Sequence, residues 1–256
     1  MKSELSEMLR LEMEPVGIFF ANTSISCEHS PSTETRNCVV PLLMACAAGK
    51  IICLDEENCN CPGGYTGCCF GDGFSRLNPQ IHYMLAQGLG DSAPEGAPEA
   101  MVYGERFFCD EKLAMKWRES LPYSQRALPR IVFAPESRWD ETGEPDLVLV
   151  FADADRISAI VTMLGSHNGE AVNTIVPYGA ACHSILFAAW QLDREKPKAV
   201  MGLFDISQRR TALRDLLTMT MPYPMWHEMG EDLEISALTT GAWHEIEKRL
   251  SGKSTE

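Results

Sequence analysis

The sequence is short of positive charge. Its 256 residues include 22 Lys and Arg against 36 Asp and Glu, which gives a formal net charge of -14. An acidic surface repels phosphate backbones and anionic lipid, and no cluster of basic residues offsets it. We therefore expect neither a nucleic-acid partner nor a membrane-surface partner.

Long uninterrupted apolar runs are also missing. Residues 171–192 contain no charged side chain, but Asn173, Pro177, Gly179 and His183 interrupt them. This pattern favours a buried strand, a turn and a buried helix over a membrane span. The first seven residues are acidic where a secretory signal would be basic and then apolar. We expect a cytoplasmic protein, and in that reducing compartment we expect no disulfides among the ten cysteines.

Several catalytic motifs are absent. The glycines from Gly63 to Gly73 lack the Lys-Ser/Thr of a phosphate-binding loop and the strand-to-helix setting of a dinucleotide site. No Gly-x-Ser-x-Gly elbow occurs, so a serine hydrolase has no support. The sequence therefore supports neither a nucleotide-binding protein nor a serine hydrolase.

Cysteine is what the chain has in excess. Four thiols lie within eleven residues, at Cys59, Cys61, Cys68 and Cys69. Soft sulfur ligands suit iron-sulfur clusters, and the neighbouring glycines allow the backbone to fold closely around an inorganic core. The spacing matches neither a zinc ribbon nor a bacterial ferredoxin. We expect an iron-sulfur cluster, while structural zinc stays open as the alternative.

The predicted elements alternate along the chain. We predict helices over 4–13, 38–49, 79–88, 110–120, 155–164, 180–192 and 206–218, and strands over 15–21, 50–54, 130–134, 146–151, 171–176 and 199–204. A cysteine-rich loop follows the second strand, and Asp153 or Asp155 is the expected cap of the helix after the fourth. This order predicts an α/β fold, with a mixed α+β fold possible, in which helices pack on a sheet. We expect one unit over 1–256, with a possible division into a cysteine-rich part (1–88) and an α/β part (99–256).

Five short segments resemble one prokaryotic family, the domain of unknown function 169 family. They are Cys38 with its helix and Gly49, the turn Cys61-Pro62-Gly63-Gly64, the aliphatic strand 145–150, Ala181-Cys182, and Pro222-Tyr223 before Met225. The resemblance implies a cluster-binding cysteine set of Cys38, Cys61 and Cys182 and a distribution weighted toward anaerobes. It implies no assigned activity. Cys68 and Cys69 depart from the family pattern as extra thiols.

Cys182 is expected at the start of a helix, where the helix dipole would lower the pKa of its thiol and stabilise a thiolate ligand. With Cys38, Cys61 and Cys182 alone, a four-iron cluster keeps one open iron for Lewis-acid chemistry. If Cys46, Cys68 or Cys69 completes the coordination, electron transfer is favoured, and the extra thiols also permit a larger or second cluster.

The most extensive set of metal ligands therefore also includes Cys59. His183 and Arg36 are candidate catalytic residues of a possible oxidoreductase. The alternative is a zinc protein, or a cluster-bearing sensor, that binds a partner without turnover. The substrate and the redox partner stay open, and a homodimer is possible.

Overall fold

The computed structural model describes residues 3–34, 37–209 and 215–252, and all of its strands join one sheet. The strands are β1 (Val16–Phe20), β2 (Ile52–Asp55), β3 (Arg130–Pro135), β4 (Leu147–Ala152), β5 (Thr174–Ile175), β6 (Ala199–Gly202) and β7 (Leu217–Pro222). The helices are α1 (Glu4–Met8), α2 (Val39–Ala47), α3 (Pro62–Gly67), α4 (Gly73–Leu77), α5 (Ile81–Leu85), α6 (Glu99–Tyr103), α7 (Glu111–Glu119), α8 (Trp139–Thr142), α9 (Ala154–Asn168), α10 (His183–Gln191), α11 (Ile206–Arg209), α12 (Tyr223–Glu231) and α13 (Gly241–Leu250). The predicted mixture of sheet and packed helices is confirmed.

The sheet has the order β2-β3-β1-β4-β7-β6-β5. Neighbouring strands are antiparallel except for β5 and β6, which are parallel. Strand β1 lies between β3 and β4, so strands from both sides of the connection at residues 88–98 pair within this one sheet.

Strand β4 shows why helices cover both faces. All six of its residues are buried. Leu147, Leu149 and Phe151 belong to one core with residues of α2, α3 and α10, whereas Val148 and Val150 belong to a second core with residues of α9 and α12. Because successive side chains of a strand point to opposite faces, a continuous apolar run is what a doubly covered strand requires. The strand predicted over 146–151 is confirmed for this reason.

Three sequence predictions are wrong. A single helix over 206–218 is predicted, but only Ile206–Arg209 is described as helix, residues 210–214 lie outside the described residues, and Leu217 and Thr218 begin β7. There the alternating segment Leu217–Pro222 pairs with β4 on one side and β6 on the other, so sheet pairing overrides the helical pattern. The cysteine-rich segment is not all loop, because Pro62 at the first helical position begins α3. Cys27 and Cys53, which we expected to be unpaired, form a disulfide.

The membrane prediction agrees with the helices that are described. Among residues 3–34, 37–209 and 215–252, none of the helices has both the length and the apolar character needed to cross a bilayer.

Candidate functional site

Three cysteines that are far apart in sequence occupy the same position in three helices. Cys38, Cys61 and Cys182 are the N-cap residues of α2, α3 and α10. In none of them does the side chain accept a capping hydrogen bond from the following turn. An N-cap is usually Ser, Thr, Asp or Asn because the side-chain oxygen satisfies a free backbone amide. At these three positions the chain instead places sulfur at the start of a helix.

The start of α10 packs directly on α3. The Cys182 thiol donates a hydrogen bond to the carbonyl oxygen of Gly63 at 3.4 Å. A Cβ atom added to Gly67 would lie 2.8 Å from the Cys182 Sγ, and one added to Gly64 would lie 3.7 Å from the Cys59 Sγ. A distance below 3.0 Å is a clash, so Gly67 is required for the approach of Cys182. Gly67 therefore lets the Cys182 sulfur come close to α3, while Gly64 makes room for Val39 of α2, whose Cγ2 would lie 2.8 Å from an added Cβ.

The electrostatics place four thiols in one neighbourhood. Burial raises the pKa of Cys182 well above its ordinary value, and the nearby thiols of Cys61, Cys38 and Cys59 raise it further. Burial therefore overrides the effect of the helix dipole, and the expected lowering of this pKa is wrong. Cys68 is a fifth thiol of this group, because its side chain forms a hydrogen bond with Cys59. This hydrogen bond, and then burial, raise the pKa of Cys68. The thiol site is Cys38, Cys59, Cys61, Cys68 and Cys182.

Cys46 and Cys69, two of the predicted ligands, are not among these five thiols. Cys46 is near the other end of α2, about 12 Å along the axis from Cys38 at ~1.5 Å per residue. Its pKa is raised by burial and then by Glu14 and Glu28, which places it beside those carboxylates. Cys69 has a backbone φ of 66° and faces Ser124 and Arg126, while burial raises its pKa to about 12. Cys46 is therefore outside the thiol site, whereas Cys69 lies at its edge, next to Cys68, whose pKa it helps to raise. Arg36 lies outside the described residues.

Within the described ranges, no group of three or more His, Cys, Asp or Glu side chains is placed to hold one metal ion. Sulfurs that share one zinc ion stand about 3.8 Å apart, since each Zn–S bond is ~2.3 Å in a tetrahedron. Cluster ligands bind different irons and stand farther apart. The donor set itself fits an iron-sulfur cluster: it consists of thiols, it is largely buried, and it packs against glycine backbone.

His183 follows Cys182 and is 1% exposed. Its ring stacks on Trp117 at 5.9 Å between centroids and meets the edge of Phe74 at 5.9 Å. Neither ring nitrogen has a hydrogen-bond partner of good geometry among the described residues. Burial lowers the pKa of His183 to about 4, opposed in part by the backbone of Gly63. At neutral pH this imidazole is therefore uncharged, and it is packed behind the site.

A cavity of about 730 Å³ opens beside the thiols. Cys38 and Cys61 line it and are half-buried, whereas Cys59, Cys68 and Cys182 are buried behind them. The Cys38 thiol donates to the Oε1 of Gln208, another lining residue, at 3.1 Å. Five aromatic rings also line the cavity and form its aromatic wall: Phe74, Phe107, Phe108, Trp117 and Tyr178. Sequence reasoning did not find this wall, because its members come from separate elements and share no periodicity.

Fold and site together define a mixed α/β protein in which a buried thiol site at helix starts adjoins a pocket large enough for a small molecule. The family model described as Uncharacterised ArCR, domain of unknown function 169, matches residues 4–232, and the chain belongs to this family. The resemblance of the short segments is thereby confirmed. No curated protein and no solved structure matches the chain at a significant level.

Proposed function

We propose that the protein binds an iron-sulfur cluster through Cys38, Cys61 and Cys182, with Cys59 or Cys68 as the possible further ligand. The observation that carries this proposal is that all three cysteines begin helices and that these helix starts meet. The contact of Cys182 with Gly63, two residues from Cys61, joins the two halves of the chain at this point.

The helix starts favour a negatively charged group. Helices α2 and α10 each have nine residues, long enough for their dipoles to place partial positive charge at Cys38 and Cys182. Thiolates and the cluster they hold are negative, so this charge supports the bound form. The same backbone amides lack side-chain caps, so they can donate hydrogen bonds toward cluster sulfur.

Binding is expected to release protons. Because burial and neighbouring thiols raise the pKa of Cys182 and Cys68, both thiols are protonated at neutral pH when no metal is present. A thiol must lose its proton to bind iron, so cluster binding depends on pH and becomes stronger as pH rises. The half-buried Cys38 and Cys61 are the thiols that a molecule in the cavity can approach.

When bound, such a cluster would supply either an electron or an iron that polarises a substrate atom. The chain's own contribution is to hold the ligand sulfurs, to cover three of them from solvent and to leave the cavity side open. His183, next to Cys182, contributes an uncharged imidazole that packs against Trp117 and Phe74. We propose a redox or Lewis-acid role on these grounds, and the family resemblance is what suggests anaerobic metabolism as its setting.

Anaerobic purification followed by iron, zinc and acid-labile sulfide analysis tests the proposal. The unsubstituted protein is expected to be brown and to contain iron and sulfide, and Cys61→Ala is expected to lose both. Cys109→Ala is the matched control, because Cys109 is exposed and outside the thiol site. Full retention of iron by Cys61→Ala would remove Cys61 from the ligand set.

The same analysis tests the alternative, a structural zinc protein or a cluster-bearing sensor without turnover. A colourless protein replete in zinc would contradict the iron-sulfur proposal and leave the zinc protein. In iron-replete protein, a change of the paramagnetic resonance spectrum on adding small molecules would support an open iron, and thus a catalytic site.

A further inference from the structure

The cavity beside the thiol site has a rigid aromatic wall. Trp117 on α7 and Tyr178 before α10 have ring centroids 6.2 Å apart, and the Trp117 indole N–H donates to the Tyr178 carbonyl at 3.0 Å. Phe108 contacts both rings, at 5.5 Å from Trp117 and 5.8 Å from Tyr178, and Phe107 lies 6.1 Å from Tyr178. Because each ring is held by others, the wall presents fixed π surfaces.

Two carboxylates lie at the same wall. Asp205 and Glu105 both line the cavity, and Asp205 is 8% exposed. After burial, these two carboxylates are the causes that raise the pKa of the Tyr178 phenol, so both lie near this one ring. Asp205 is held in place because its Oδ1 accepts from the Ser207 amide at 2.9 Å and from the Ser207 hydroxyl at 2.6 Å. Negative charge is thus fixed beside the aromatic faces.

We propose that this cavity binds a small organic cation, a methylated ammonium compound, whose charged head lies against Trp117, Tyr178 and Asp205. A ring face attracts a cation through its quadrupole, and the attraction increases where water is excluded. The apolar residues of the lining suit methyl groups, and they include Ile81, Met84 and Met101. A nearby carboxylate adds Coulomb attraction that an uncharged molecule of the same shape cannot gain.

The rest of such a ligand would lie in the same cavity as Cys38 and Cys61, which also line it. Any reaction of the bound ligand rests on the proposed cluster. Binding of the ligand does not depend on the cluster, because the aromatic wall and the two carboxylates are part of the chain itself.

Choline and its uncharged carbon analogue 3,3-dimethylbutan-1-ol are a matched pair of probes. Isothermal titration of the full chain with each, both metal-free and after cluster reconstitution, measures the contribution of the charge. We expect saturable binding of choline that is at least about tenfold tighter than that of the analogue. Equal or tighter binding of the analogue, or no saturation by choline at about 10 mM, would overturn the inference.

Two variants locate the binding. Asp205→Asn keeps an acceptor for Ser207 and should weaken choline about tenfold while leaving the analogue unchanged. Tyr178→Leu keeps an apolar side chain and should weaken choline more than the analogue. Glu245→Gln is the matched control, since Glu245 is an exposed carboxylate on α13 that pairs with Lys248. Loss of choline affinity in Glu245→Gln equal to that in Asp205→Asn would show a general charge effect and contradict the assignment.

The two proposals fail separately. Choline binding by protein that takes up no iron supports the cavity assignment and contradicts the cluster. Iron-replete protein that prefers the uncharged analogue supports the cluster and contradicts the cavity assignment.

Discussion

The three helices that begin at the thiol site differ from two helices on the opposite face of the sheet in how they begin. On one face, α2, α3 and α10 begin with cysteines whose side chains make no capping bond. On the other face, Asp153 caps α9 by accepting from the Arg156 amide, and Thr240 accepts from the Trp243 amide at the start of α13. A side-chain cap is worth about 0.5–2 kcal/mol. Helices α9 and α13 gain stability from their caps, whereas α2, α3 and α10 give up that stability to bring sulfur to one site. Next to that site, α4 and α7 keep ordinary caps at Asp72 and Asp110.

Glycine replacement gives the largest expected difference between the faces. Gly67→Ala adds a Cβ 2.8 Å from the Cys182 Sγ, so we expect the thiol to be displaced and most of the bound iron to be lost. Gly230→Ala is the matched change on α12, where an added Cβ meets nothing within 4 Å. It should keep its iron and gain about 0.5–1 kcal/mol, because alanine is the better helix former. Iron and sulfide analysis with denaturant unfolding measures both effects.

If Gly67→Ala kept its full iron content, the close approach of Cys182 to α3 would not matter for binding. The proposal that the thiol-bearing helices are built to bring sulfur close to α3 would then be contradicted at the contact between Cys182 and Gly67.

Acid should act on the thiol face through His183. Its pKa is lowered to about 4 from an ordinary value of 6.5, mainly by burial. Below pH 6.5 the unfolded chain takes up a proton that the folded chain does not, so the free energy of unfolding falls as pH decreases from 6.5 to 4. The full loss is about 3 kcal/mol at ~1.4 kcal/mol per pH unit. Denaturant unfolding of the metal-free protein across this range measures it.

His183→Leu should remove this part of the acid sensitivity, which amounts to about one proton in the slope of stability against pH. His244→Leu on the opposite face is the control, because His244 is exposed. An unchanged slope in His183→Leu would assign the acid loss to other groups.

The sequence predicts those helices and strands whose buried side chains or caps produce a recognisable local pattern of residues. The apolar run of β4 follows from local chemistry, and so does a cap at Asp153 or Asp155, which the structure places at Asp153. The helix predicted over 180–192 agrees with α10 to within three residues at its start, because a turn precedes an apolar helix there. The thiols at Cys38, Cys61 and Cys182 were grouped by resemblance, and spacing alone would not have joined Cys182 to a segment more than a hundred residues away.

The features that the sequence does not predict depend on contacts between residues that are far apart in the chain. The sequence pattern assigns the first two residues of β7 to the end of a helix, because the pairing with β4 and β6 that makes them a strand is not visible in the sequence. The disulfide of Cys27 and Cys53 joins residues 26 apart that have no motif in common. The aromatic wall is likewise formed by tertiary structure, since Phe108, Trp117 and Tyr178 lie on three separate segments.

The smallest effect tests the idea that the thiol face gives up stability. Cys38 has the extended backbone of an N-cap, with φ -81° and ψ 136°. Because Pro41 has no N–H, Cys38→Ser can cap α2 only through the Val40 amide, and it should raise the unfolding free energy of the metal-free protein by about 0.5 kcal/mol. The same variant should lose iron. On the other face, Asp153→Ala should lower stability by about 1–2 kcal/mol without affecting iron, because it removes the cap and a partner of the buried Arg156. Opposite signs of the two stability changes, with iron lost only in Cys38→Ser, would show that the cysteine caps serve binding. A destabilised Cys38→Ser that kept its iron would instead assign Cys38 a packing role.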